Sequence, residues 1–225
     1  MIAAAERPTK DARVALATLC QIYWHPIYAF IRRNGDDRDQ ARDLTQAFFA
    51  VLLEKNYLRD AQQERGRFRA FLLTAVKHFL ANQRDREQAL KRGGGQVAIS
   101  IDPAEAESLY APAAVDDVTP ERLYERRWAL SMLDQVMSKL RAEFVEKGKA
   151  EYFDQLAPFL DGDTRDARYE TVAAGMGVAA GALRTAVHRM RRKFGRLLRE
   201  EIAETVSEPE EIDDEIRFIL ATLSS

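Results

Sequence analysis

The 225-residue sequence predicts an all-α protein of two helical domains joined by a flexible acidic linker. Three features of the chain require this. Apolar residues recur at spacings of three and four, as one face of a helix demands, and no alternating run is long enough to argue for a sheet. The triplet Gly93-Gly94-Gly95 opens a stretch to Thr119 rich in Ala, Pro, Ser, Asp and Glu, which separates two helical regions. Charged residues make up 31% of the chain, above the ordinary share of about a quarter, which suits long amphipathic helices more than sheets.

The first helix is predicted over Asp11–Arg33, on Val14, Leu16, Leu19, Ile22, Tyr23, Ile27, Phe30 and Ile31, with Pro26 kinking or splitting it. Asn34-Gly35 stops it, and the acidic cluster Asp36, Asp37 and Asp39 starts a second helix, Asp39–Lys55. After a loop from Asn56 to Gly66, a third helix runs from Phe68 to about Leu90. The linker, if flexible, has a root-mean-square span of about 25–30 Å. Thr119-Pro120-Glu121 then opens a long helix to about Lys147, with Thr119 as N-cap and Pro120 at the first helical position. Tyr152–Leu160 forms a shorter helix and Asp161-Gly162-Asp163 a loop. The tail, Pro209–Leu223, reads as an acidic helix with Ile212, Ile216, Phe218, Ile219 and Leu220 apolar. Its acids either fold back over Arg189, Arg192 and Arg196, or point to water while the apolar stripe packs on the Leu123–Phe144 helix. The regular apolar spacing favours packing.

A net charge of −2 hides an uneven distribution: basic residues crowd 65–92 and 184–199, and acids dominate the linker and the tail. A single cysteine, Cys20, excludes an intramolecular disulfide and fits a reducing cytoplasm. No apolar run approaches the roughly 18–20 residues of a membrane span, so membrane insertion is not expected.

Tyr169–Leu198 carries the strongest signal. Tyr169, Val172, Ala173 and Met176 give a short helix, Gly177-Val178 a tight turn, and Leu183, Val187, Met190, Phe194 and Leu197 the inner face of a second helix. That is the pattern of a helix-turn-helix. The outer face holds Arg184, His188, Arg189, Arg191, Arg192, Lys193, Arg196 and Arg199, with no acid among them. Such a face suits the major groove, early turns meeting base edges and later cations phosphates. Ala179 and Ala180 stand where a Ser or Thr cap is expected. A second basic segment interleaves Arg65, Arg67 and Arg69 with Phe68 and Phe71 and continues through Lys77, His78, Asn82, Gln83, Arg84 and Arg86. Cations with aromatics suit single-stranded nucleic acid. Phe68, Phe71 and Phe79 also fall on a core face, and packing is the favoured reading for them.

These segments carry a resemblance. Leu44-Thr45-Gln46-Ala47-Phe48-Phe49 and Arg65-Gly66-Arg67-Phe68-Arg69-Ala70-Phe71-Leu72 resemble region two of extracytoplasmic-function sigma factors, and Tyr169–Leu198 is similar to their region four. The match covers about 15–92 and 121–199. Pro120–Leu130 and the acidic tail resemble one subgroup with an extended region four. The resemblance implies domains at 1–92 (core polymerase and minus-ten binding) and 120–205 (minus-thirty-five binding), a linker at 93–119 and a C-terminal helix at 206–225. It implies a transcription initiation factor without catalytic residues, metal or cofactor. Its partners are the bacterial RNA polymerase core, through the largest-subunit clamp helices and the flap, and promoter DNA; an anti-sigma factor or other regulator is a further candidate. Asp43, Gln46 and Phe49 correspond to the surface on the clamp helices. The loop Tyr57–Phe68 matches the part that captures a flipped minus-ten base. Arg65, Arg67, Lys77, His78, Asn82 and Arg86 fall at minus-ten DNA, and Arg184, His188, Arg189, Arg192, Lys193 and Arg196 at the minus-thirty-five element. The acidic linker resembles the segment threaded through polymerase RNA channels. His78 and Asn82 stand where many relatives carry Asn and Asp, and Asp85 replaces a common basic residue, so minus-ten preference does not carry over. The connection from Trp128 to Tyr169 is longer than in the minimal family.

Other classes fit less well. His25, His78 and His188 have no metal-ligand spacing with Cys20 or each other, and Asp161-Gly162-Asp163 lacks the ligand series of a calcium loop. A one-component regulator with a C-terminal helix-turn-helix is the alternative, and it predicts operator binding by the free protein as a dimer. A protein-interaction scaffold leaves both basic segments unexplained.

Overall fold

The computed structural model describes residues 10–54, 67–90, 118–160 and 166–224, and every regular element among them is helical. In chain order these are α1 (Lys10–Arg33), α2 (Arg38–Glu54), α3 (Phe68–Leu90) and α4 (Pro120–Glu146). Then come α5 (Ala150–Leu156), running into a 3-10 turn at Ala157–Phe159, α6 (Asp166–Gly175), α7 (Ala180–Ala203) and α8 (Glu211–Ser224). The expected linker core, the glycine triplet, most of the Tyr57–Phe68 loop and Asp161–Asp163 lie outside the described residues. No helix among the described residues is long and apolar enough to cross a membrane.

Helix ends follow local chemistry. Pro26 lies inside α1 without ending it, contrary to a split at that position. Proline removes one intrahelical bond at a cost of about 3 kcal/mol. Burial of Ile22, Tyr23, Trp24, Ile27, Tyr28, Phe30 and Ile31 around it offsets that cost several times over. Gly35, at φ 103°, supplies the left-handed turn after α1. The Asp37 carboxylate then accepts from the Gln40 amide at 2.9 Å, capping α2. Thr119 caps α4 as its sequence predicts, its Oγ1 accepting from the Arg122 amide at 3.2 Å.

The chain divides into two compact units, Met1–Ser131 with Ala203–Ser225, and Met132–Ile202. These boundaries fall inside α4 and α7, whereas the composition shift lies at 93–119. In the first unit, Ile27, Ile31, Leu52, Leu72, Val76, Leu123, Tyr124 and Trp128 are almost wholly buried. Polar anchors set the register of this core. The Trp128 indole donates to Tyr23 Oη at 3.1 Å, and the Tyr124 hydroxyl donates to the Arg69 carbonyl at 2.9 Å. Burial pushes both phenols well above their ordinary range, so each stays a neutral hydroxyl. Phe68 is buried edge-on against Tyr23, and Phe79 meets Phe48, so both serve the core.

The tail helix α8 belongs to this first unit, with Phe218 against Trp128 at 6.2 Å between ring centres. One acid does not point to water as expected. Glu215 is 1% exposed and is held by Arg67 and Arg69. In the second unit Met132, Val136 and Leu140 of α4 are buried, as are Phe153, Leu156, Phe159, Tyr169, Leu183, Val187 and Met190. Arg191 is drawn inward as well, donating from Nη2 to the Phe159 carbonyl at 2.6 Å.

Candidate nucleic-acid interface

The α6–turn–α7 segment is built from residues that allow two helices to meet in few steps. Val178 donates its amide to Ala173 at 3.0 Å and Met176 to Val172 at 3.0 Å, closing α6. Gly177, at φ 67°, takes the left-handed conformation that a β-carbon disfavours. Val178 is exposed, so it does not serve as an inward turn residue. No Ser or Thr caps α7. The Ala179 carbonyl accepts from Ala182 at 2.9 Å and Leu183 at 3.1 Å, and the helix proceeds without a side-chain cap.

On α7, Leu183, Val187, Met190 and Leu197 are buried, while His188, Arg189, Arg192, Arg196 and Arg199 are exposed. The cations are not equivalent. Arg184 is exposed but bonded to Asp166 at 2.7 Å, with its guanidinium 5.4 Å from the Tyr169 ring centre. Lys193 pairs with Glu143, and Arg196 pairs with Glu200 at 2.6 Å and lies 4.0 Å from Glu143. The Lys193 hydrogen bond, ahead of the other nearby cations, holds the Glu143 carboxyl below its ordinary range. His188, Arg189 and Arg192 make no hydrogen bond or ion pair among the described residues. They sit at i, i+1 and i+4, one patch of a helical face.

In the first unit the basic segment is more heavily committed. Lys77 is half-exposed and bonded to Glu121 at 2.8 Å, which lowers the Glu121 carboxyl. Arg67 reaches Glu215 at 2.8 Å and Asp214 at 3.5 Å. His78 and Asn82 are exposed one turn apart on α3. Arg65 and the Arg86 side chain lie outside the described residues. On α2, Asp43 is exposed beside Arg42 at 3.4 Å, Gln46 is half-buried, and Phe49 is 6% exposed and packs on Phe48. Asp43 and Gln46 therefore present polar groups at the surface, whereas Phe49 supports the helix from within. Burial pushes the Cys20 thiol up to about 11, away from thiolate chemistry.

Three acids that organise these cations are absent from the sequence reading of the site: Asp166, Glu143 and Glu215. The first two arrive through tertiary packing and leave no local signal. Glu215 does leave one, since it falls between Ile212 and Ile219 on the apolar stripe of α8, where a carboxylate needs a buried partner. Compared with known proteins, the chain matches no family model, no curated protein and no solved structure.

Proposed function

We propose that this chain is a transcription initiation factor of the extracytoplasmic-function sigma type, which binds bacterial RNA polymerase core in the cytoplasm and directs it to promoters. The observation that carries the reading is the exposed, unpaired patch of His188, Arg189 and Arg192 on the second helix of a tight helix-turn-helix. Soluble helices ordinarily balance such charge, and this helix leaves it facing solvent where a groove would meet it. In this reading the Met132–Ile202 unit reads minus-thirty-five DNA, and His78, Asn82 and Lys77 of α3 meet minus-ten DNA. Asp43 and Gln46 on α2 face the polymerase clamp helices, and the acidic stretch at 93–119 tethers the two activities.

A mobility shift with promoter DNA, with and without polymerase core, tests it. The expected outcome is weak binding by the chain alone and a stable shift only with core. Strong, dimeric operator binding by the free chain would instead establish a one-component regulator. Asp43→Arg with Gln46→Arg is expected to abolish co-purification with core while leaving the helical circular dichroism unchanged. Retention of core at the wild-type yield would remove that face from the reading.

A further inference from the structure

The most unusual side-chain cluster in the first unit is the carboxylate of Glu215 between two arginines. Arg69 grips it through Nε at 2.7 Å and Nη2 at 3.1 Å, and Arg67 Nε meets it at 2.8 Å. Arg69 is 7% exposed, and its guanidinium lies 3.6 Å from the centre of the Phe218 ring and 5.2 Å from that of Trp128. Two further carboxylates lie at the edge of the pair, Glu125 at 3.7 Å from Arg69 and Asp214 at 3.5 Å from Arg67, and a forked arginine pair at a carboxylate has the geometry that binds a phosphate as readily. These arginines flank Phe68, with Phe71 half-exposed on the next turn of α3, so cations and a ring stand together as a single strand requires.

Of the α8 side chains Glu215 and Ile219 are buried, Ile212, Ile216 and Phe218 are half-buried, and Leu220 is 62% exposed. Beyond α8 itself, the Thr205 carbonyl accepts from the Phe68 amide at 3.0 Å, at the point where α3 begins. An apolar seam serves permanent docking at least as well as a buried ion pair does, whereas an ion pair lets a competing anion displace the helix. We propose that Arg67 and Arg69 form a phosphate site for single-stranded nucleic acid, which Glu215 occupies in cis. Docking of α8 and binding of the strand at this site then exclude one another. The inference rests on the reading of the first unit as a nucleic-acid-binding unit, and adds its regulation.

Fluorescence anisotropy of the full chain with a labelled single-stranded oligothymidine tests it. Glu215→Gln removes the competing charge, and Phe218→Ala loosens α8 without touching it. Both are expected to bind at least about tenfold more tightly than wild type, the loss of one charge-assisted contact from the closed form. The slope of log K against log salt becomes steeper by about 1.4, as for two newly engaged cations. Arg67→Ala in the Glu215→Gln background cancels most of the gain. Equal affinities of wild type and both variants overturn the exclusion but leave the nucleic-acid reading standing. Absence of oligothymidine binding in every variant overturns the phosphate site, while the core-dependent mobility shift decides the nucleic-acid reading separately. Loss of helical circular dichroism in both variants makes α8 an obligatory part of the core, and the displacement proposal fails.

Discussion

His188, Arg189 and Arg192 differ from Arg184, Lys193 and Arg196 in having no carboxylate to satisfy them among the described residues, while each of those three has one. A cation that must first leave a partner gives up part of what it gains at DNA, so in the proposed reading the three free groups dominate binding. Arg184 stands nearest the helix start, which by position alone favours it as a base reader. Its bond to Asp166 and its place over Tyr169 make it a brace between α6 and α7 instead. Arg189→Ala or Arg192→Ala is expected to weaken binding to the duplex. Each lowers the salt slope by about 0.9 if it meets a phosphate, or costs about 1–3 kcal/mol at one base pair if it meets a guanine edge. Arg184→Ala is expected to lose less affinity and more thermal stability. A titration series across salt and single-base promoter variants checks this, and an Arg184→Ala loss confined to one base pair reverses the assignment. At this scale the cations were legible as a pattern, because helical spacing puts them on one face. Which of them are spoken for was not, because Asp166 and Glu143 come from elsewhere in the chain.

Helices and their ends were mostly legible, for reasons that are local. Thr119 with Pro120, Asn34 with Gly35, and Gly177 act within one turn of the bond they make or prevent, so sequence alone locates them. Pro26 is the exception, since its effect was decided by how deeply the apolar residues from Ile22 to Ile31 are buried. Between elements, the pairs Glu143–Lys193 and Glu121–Lys77 join α4 to α7 and α4 to α3, and both carboxyls are lowered by their lysines. A carboxyl with a folded pKa below its unfolded value contributes stability that is complete above the unfolded value of about 4.3. That contribution is lost as pH falls through the folded value. Glu143 remains one-third exposed, so screening keeps the effect at about 0.2–1 kcal/mol. Glu143→Gln is therefore expected to melt slightly below wild type at neutral pH and together with it in strongly acid buffer. Thermal melts across pH check the sign, and a difference that grows on acidification contradicts it. The same variant releases Lys193 while Arg196 keeps Glu200, so in the proposed reading its duplex binding gains a slightly steeper salt dependence.

The whole chain folds as two compact units whose limits differ from those suggested by composition, and the difference lies in a few long-range contacts. Tyr23 of α1 meets Trp128 of α4, Phe30 meets Tyr124 at 6.5 Å, and Arg69 of α3 joins Glu125 of α4 and Glu215 of α8. No periodicity announces such pairings. Trp128 looks in sequence like one more apolar residue of the second half, yet it closes the core of the first unit. A fragment ending at Arg92, the limit implied by the family resemblance, leaves those partners behind. It exposes the surfaces of Tyr23 and Phe30 that Trp128 and Tyr124 help to cover, and leaves the Arg69 guanidinium without its carboxylates. Each large apolar side chain uncovered costs about 1.5–3 kcal/mol, against a total stability for a domain of about 5–15 kcal/mol. The fragment Met1–Arg92 is accordingly expected to lack a cooperative thermal transition, whereas Trp128→Phe in the full chain keeps one at a lower midpoint. The indole nitrogen is lost in that variant and the Tyr23 hydroxyl keeps only a weaker environment, a loss of about 1–3 kcal/mol. Circular dichroism melts of the two proteins beside wild type decide the matter. A sharp transition in the fragment at the wild-type midpoint shows that the first three helices stand alone, and that α4 and α8 are guests on a finished core.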